Sequence, residues 1–245
     1  MGLVSKDDGW RLSDWLWQRI EPLLLVRPAH PLGCHRPRVP DRDALDAILL
    51  VFRRGMQWNA LNATGVCSSS SAHRRFLEWE QAGVFHEIWR QGLLDYDQVV
   101  GIDWAWLACD GAMTKAPLGG ARTGPNLTDR GKRGAKCSLL CEAGGVSLGL
   151  VHDGANRHDS KLLAAMLDSL PIARPEPTAE HPQGLCLDGG YAYPWLYELA
   201  AGRGYSPTSV AAARNSSLNE PSRDGRPGVG SSKPATPGST ATVPS

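Results

Sequence analysis

The sequence predicts a two-part chain of the α+β or α/β class: a helical N-terminal domain over residues 10–95, then a mixed-sheet core over 99–205. Three observations carry this. Apolar residues recur at helical spacing in several runs before residue 95. Beyond it, the apolar runs VVGIDWAWLACDG and GLCLDGG each end on an aspartate followed by glycine, at Asp110 and Asp188. Between them, CSLLCEAGGVSLGLV carries the pair Gly144 and Gly145 at its middle, a β-hairpin signature with strands near 136–142 and 146–152.

Composition bounds the function classes. An apolar content of 42% over 245 residues supports a real core. No charged leader precedes an apolar run, and no 18-residue apolar segment occurs, so neither secretion nor membrane insertion is expected. Six cysteines without a Cys-x-x-Cys pair argue for reduced thiols in a cytoplasm, not a zinc or disulfide framework. Net charge is only +1, so a nucleic-acid partner must rest on local clusters.

In the N-terminal third, Ser13 is placed to cap SDWLWQRIEPLLL, where Trp15, Leu16, Ile20 and Leu23 recur at helical spacing. Pro22 breaks or kinks that run. Four prolines and a glycine make 27–40 a loop. Asp41 opens the next helix, with Leu45, Ile48, Leu49 and Phe52 as its stripe and Gly55 as its end. From Ser68 two further helices meet near 81–83 and share Phe76, Trp79, Val84, Phe85, Ile88 and Trp89. With Arg74 and Arg75 exposed near its start, this hairpin is compatible with a helix-turn-helix DNA reader. A plain bundle with solvated arginines fits the pattern slightly better.

The centre of the first aspartate run, 103–110, lacks a polar helical face and reads as a strand buried on both faces. Its exit places Asp110 where a loop begins, and Asp188 holds the same place after the second run. Singly, each is more often a turn cap. As a pair at neighbouring strand ends, they suit Mg²⁺, which takes a few carboxylates and fills its shell with water and phosphate oxygens. Two such ions about 4 Å apart stabilise both oxygens of a phosphodiester displacement.

The loop 114–131 leads into RGKRGAK, where Arg130, Lys132, Arg133 and Lys136 cluster beside that site. Phosphate contact is the favoured reading, a solvated turn the other. His158 and Asp159 fall in a loop near the same face; a helix cap by Asp159 or Ser160 is at least as good a reading as a catalytic role. A helix then carries Leu162, Leu163, Met166 and Leu170 inward, 171–182 is a proline-rich connection, and PWLYELAAGRG is a helix closed by Gly202. Glu198 lies on that helix as a surface residue. Strand, hairpin, helix, strand, helix is the order of a ribonuclease-H-like fold.

The segments DGAMTKAPLGG, TGPNLTDRGKRGAKCSLL, GLVHDGANRHDSKLL and LCLDGGYAYPW are very similar to insertion-sequence transposases of the DDE superfamily, in particular to groups four and five. GMQWNALNATG and SSAHRRFLEWEQAGVF resemble the helical domain that precedes their catalytic core. The resemblance spans about 10–205. It implies an enzyme that cuts element ends and joins the 3′ hydroxyl to target DNA, with two aspartates and a glutamate holding two Mg²⁺ ions. It places Asp110 and Asp188 as the first two carboxylates. It further implies double-stranded DNA as partner (terminal inverted repeats and target), a homo-oligomer when active, no membrane, and a nucleoid-associated place in the cytoplasm.

The chain departs from that pattern at its end. The third carboxylate belongs on a helix within a run close to RRWVVERTHSWLNRFR, and residues 206–245 show none. They are rich in Ser, Pro, Gly, Ala and Thr, a composition that predicts disorder. Glu220, inside that tail, is not the missing acid. Reading codons from the last base of one and the first two of the next, 228–243 permits RWVVEASHSWLNRYR and 207–213 permits HIRRRR. Two stretches restored in one shifted frame indicate a frame change near Tyr205, with the glutamate codon spread across Ser232 and Lys233. The expectation is a transposase with an incomplete core and no cutting activity. The alternatives are a catalytically dead DNA-binding protein that competes with an intact transposase, and a stand-alone nuclease using two acids.

Overall fold

The computed structural model describes residues 10–26, 33 and 38–209. Most of the expected proline-rich loop and all of 210–245 therefore lie outside the described residues. Helix α1 (Asp14–Ile20) starts at Ser13, whose hydroxyl accepts from the Leu16 amide at 3.3 Å. Pro22 ends it in a 3₁₀ turn, Glu21–Leu23, because proline has no amide hydrogen to continue the ladder. Helix α2 (Asp41–Arg54) closes on Gly55 in the left-handed region, φ 60°. Helix α3 (Ser69–Gln81) is capped by Ser68, and α4 (Val84–Val99) follows across Gly83.

Leu45, Ile48, Leu61 and Trp79 are enclosed in the helical core. Asp46, also enclosed, accepts from the Leu12 amide at 2.9 Å and faces Arg11 at 3.4 Å, tying the segment before α1 to α2. Phe52 departs from the expected stripe: it is 56% exposed and packs edge-on against Phe76 and Trp58. Trp89 departs too. Its indole donates to the Ser147 carbonyl at 3.2 Å, and it packs on the sheet core, not within the helical hairpin. Helix α4 thus serves both cores, with Val84 in the first and Leu93 in the second.

The second core is a six-stranded sheet: β1 (Trp106–Lys115), β2 (Gly124–Asn126), β3 (Lys132–Glu142), β4 (Ser147–Gly154), β5 (Gly184–Leu187) and β6 (Ser206–Ser209). Strand β1 is central, antiparallel to β3 and parallel to β5. Strand β4 pairs antiparallel with the other side of β3, and β6 pairs parallel with β5. An antiparallel meander followed by two parallel strands is the ribonuclease-H-like order, with β2 a short addition beside the start of β3. Helices α5 (Leu163–Leu167) and α6 (Pro194–Ala201) supply the two crossovers and bury Leu107, Cys109, Leu185 and Leu187 on one face. The inward helix expected around 160–170 is shorter than its pattern, because a 3₁₀ turn, Asp159–Lys161, takes its start.

Three expectations change. Strand β1 is buried on one face only: Ala108, Leu139 and Cys141 on the other are half-buried, and Trp106 and Leu150 are 39% and 41% exposed. Nor does β1 end at Asp110. It runs on to Lys115, because β3 keeps pairing with it as far as Gly134. The core extends past 205, since Ser206–Ser209, assigned to the disordered tail, form the edge strand β6. Backbone pairing along β5 orders a polar tetrapeptide that composition alone leaves loose, and its proline is tolerated on an edge strand. Among the described residues, no helix is long and apolar enough to cross a membrane.

Glu142 joins the two parts. Its carboxylate accepts from the Val146 amide at 3.1 Å across the hairpin turn and bonds the Tyr96 hydroxyl of α4. Burial pushes this carboxyl up, but the amides of Gly144, Val146 and Asp103 and the Tyr96 hydroxyl outweigh it and hold it below the usual range. A depressed folded-state pKa contributes stability that is present above about pH 4.3 and is lost as pH falls through the folded value. Urea unfolding across the acid range should show that loss, and Glu142→Gln should flatten it while lowering stability at neutral pH. An unchanged acid limb in the variant would refute the assignment.

Candidate metal centre and nucleic-acid interface

The parallel register of β1 and β5 runs from Trp106 opposite Gly184 to Cys109 opposite Leu187. Asp110 and Asp188 each follow that last registered pair by one residue, Asp188 just past the end of β5. Apolar pairing below them fixes that position, because a one-residue slip would turn Cys109 and Leu187 out of the core. Asp110 accepts from the amide of Gly111 at 2.7 Å, and Asp188 from the amide of Gly190 at 2.9 Å. Asp188 also caps the 3₁₀ turn Gly189–Tyr191, so the turn-cap reading and the site reading coexist in one residue.

A third carboxylate stands at this end of the sheet. Asp159 is not a cap: the turn it opens is capped by His158, whose Nδ1 accepts from the Ser160 amide at 3.3 Å. Its own Oδ2 accepts from Lys136 Nζ at 2.9 Å. A Cβ on Gly111 would meet Asp159 Oδ1 at 2.7 Å. A Cβ on Gly190 would lie 3.1 Å from Asp188 Oδ1 and 3.4 Å from Asp159 Oδ2. The two glycines therefore make room for these acids, a role that spacing in the sequence did not signal. Burial pushes the Tyr191 phenol and the Cys109 thiol up, so both stay neutral below the acids.

A divalent cation suits this donor set. Carboxylate oxygens are the ligands Mg²⁺ prefers, and Asp159 Oδ1 is buried without a hydrogen-bond partner. Among the described residues, no three His, Cys, Asp or Glu side chains are grouped so as to hold a metal ion.

The basic residues divide. Arg130, Lys132 and Arg133 are exposed together around the turn between β2 and β3, with Lys132 and Lys115 at 4.0 and 3.6 Å from Asp129. Arg74 is exposed on α3. Lys136, read as a phosphate contact, is not one of them: its side chain is 9% exposed and committed to Asp159, since strand alternation turns it onto the covered face. Arg75 is likewise buried, paired with Asp41 and Glu78 and lying over Trp79. The position after Arg74 on a helix points a different way, and here it points into the bundle.

Residues 106–229 match the transposase DDE domain family, and 12–89 match a transposase family of the IS4/5 type. The match over 106–229 runs past β6 and stops before Ser232. An uncharacterized 16.2 kDa protein of insertion element IS402 from Burkholderia cepacia is 35% identical over 118 residues, covering 46% of this chain and 78% of that one. A candidate transposase for IS402 from the same organism is 38% identical over 56 residues, and the chain spans 26% of its length. Among solved structures, a piggyBac transposase synaptic complex with hairpin DNA gives a TM-score of 0.40 at 13% identity, covering 80% of this chain and 46% of that one. That score is low, and the strand order alone carries the fold. Two family matches in tandem, the first over the helical part and the second from β1 onward, follow the division of the molecule into its two cores. The chain belongs to the DDE-domain transposases of the IS4/5 type.

Proposed function

We propose that this chain binds the DNA ends of an insertion sequence and holds Mg²⁺ at Asp110 and Asp188, but lacks the third acid needed to cut. What supports this reading is the parallel register of β1 and β5, which pairs Cys109 with Leu187, one residue before each aspartate. Mg²⁺ at such a site neutralises charge developing on phosphodiester oxygens during displacement. The residues' own part is to orient it: the Gly111 and Gly190 amides each fix one oxygen of Asp110 and Asp188. The glutamate codon lies in the shifted frame at Ser232–Lys233, so the chain as encoded ends its acidic set early. Such a protein occupies element ends and competes with an intact transposase. Cutting two ends together calls for more than one subunit.

Arg130, Lys132, Arg133 and Arg74 are the phosphate-facing candidates because they are exposed and basic. Replacing Arg130 and Arg133 by alanine should weaken binding of the full chain to element-end duplex and lower the salt slope by about 2. Arg75→Ala should instead lower stability by about 1–3 kcal/mol in urea unfolding and leave the slope unchanged, because Asp41 and Glu78 lose their partner. A wild-type slope in the double variant would remove this surface from the interface.

Strand cleavage separates the readings of activity. With Mg²⁺ and element-end DNA, the chain should cut at background level. A gene shifted by one base near codon 205 should gain cutting that Asp110→Asn abolishes. Equal cutting by the shifted and unshifted products would overturn the frame-change account.

A further inference from the structure

We infer that the far end of the β1–β3 ribbon is a wedge that bends duplex DNA, with Leu118 and Leu127 entering the base stack between flanking cations. The inference rests on the reading of this chain as a binder of element-end DNA. It goes beyond that reading in naming two apolar contacts and a distortion of the duplex that phosphate contact alone does not produce.

Strand β5 ends at Leu187, but β1 carries on past Asp110 to Lys115, about 17 Å at 3.4 Å per residue. Residues 111–115 are exposed throughout. Residues 111–135 carry Lys115, Arg122, Arg130, Lys132 and Arg133 against one acid, Asp129. The whole chain has a net charge of only +1, so its positive charge is gathered here. Lys115 and Lys132 share Asp129 at 3.6 and 4.0 Å, and Arg122 and Arg130 have no acidic partner among the described residues. A patch of this sign fits a polyanion, and phosphate neutralisation is the sequence-independent part of duplex binding.

Two leucines stand in that cationic end with little or no cover. Leu118 is 100% exposed and Leu127 is 83% exposed. Single apolar residues on a surface need no explanation, but neither of these is left loose. Leu118 is third in the turn 116–119, which the Gly119 amide closes by donating to the Ala116 carbonyl at 2.8 Å. The Ala116 amide donates to the Arg133 carbonyl at 2.9 Å, and a Cβ on Gly119 would lie 3.5 Å from Arg133 Cδ. Arg133 therefore lies along the turn that presents Leu118. Leu127 opens a 3₁₀ turn, Leu127–Asp129, capped by the buried Asn126, whose Oδ1 accepts from the Thr128 amide at 3.0 Å. Arg130 follows that turn directly.

Each leucine is thus held outward on a fixed turn next to an arginine. Minor-groove binders work in this way. Cations grip the phosphates while an apolar side chain unstacks a base step and kinks the duplex toward the major groove. Burial of the exposed leucine between bases offsets part of the unstacking.

The test uses the full chain and the terminal-repeat duplex of its element. 2-Aminopurine is placed at successive base steps, and a donor–acceptor dye pair reports the end-to-end distance. Wild type should brighten 2-aminopurine at the steps it enters and shorten that distance. Leu118→Ser combined with Leu127→Ser should abolish both signals while the duplex still binds. Salt slope and melting temperature should not change, because both side chains are exposed and uncharged. Unstacking retained in this double variant would overturn the wedge. Wild-type binding without brightening at any step would overturn it too, and would leave DNA binding standing. Loss of both signals with a drop in the sedimentation coefficient of the free protein would assign the leucines to a contact between copies, and so overturn it. No binding of the duplex by wild type would remove both readings.

Discussion

The parallel pairing of β1 with β5 is the constraint on which the molecule's chemistry depends. Four residues of β5 reach β1 only after a crossover that includes α5, and their register is set by apolar side chains on one face. Leu107, Cys109, Leu185 and Leu187 must all point at α5 and α6, and period-two alternation then leaves no freedom for the residues that follow. Asp110 and Asp188 each follow a registered apolar pair by one residue because the hydrophobic pattern below them leaves no other register. A polar site is thus placed by an apolar core.

The same face explains why the site is asymmetric. Lys136 and Asp159 come from the covered side, where Ser138 and Tyr191 share a hydrogen bond at 3.0 Å. The opposite side carries Ala108, Leu139 and Leu150, which are only partly covered. Charge can be buried on the first side because Lys136 and Asp159 neutralise one another there. Two glycines, at 111 and 190, provide the clearance that lets carboxylates approach backbone this closely.

Helix α4 makes the two parts one mechanical unit. Its first turn is buried with Trp79 and its later turns with the sheet core, and Trp89 and Tyr96 fasten it to the β3–β4 hairpin. An exposed basic residue on α3 and the basic turn before β3 are therefore carried on one framework with the acids. Sequence alone treats these as separate domains, since the helical periodicity of α4 says nothing about which neighbour each turn meets.

Local signals were strong enough to determine much of this protein. Ser13, Ser68 and Gly55 mark helix ends through chemistry that acts within one turn, and Gly144–Gly145 marks the hairpin. Asp110 and Asp188 were legible because an aspartate before glycine closes each apolar run, and the family resemblance rested on those same words. Four matters lay beyond local signal, because each depends on residues distant in the chain. Arg75 and Lys136 look like Arg74 and Lys132 in a string of basic letters; only packing turned the first two onto acids and left the others to solvent. Strand β1 outran its expected end because a partner some twenty residues later keeps pairing with it. Ser206–Ser209 became a strand because β5 offered an open edge, which no composition can announce. For Asp159 the sequence left a cap and a site role open, and only the fold set its carboxylate beside Gly111, Gly190 and the buried Lys136.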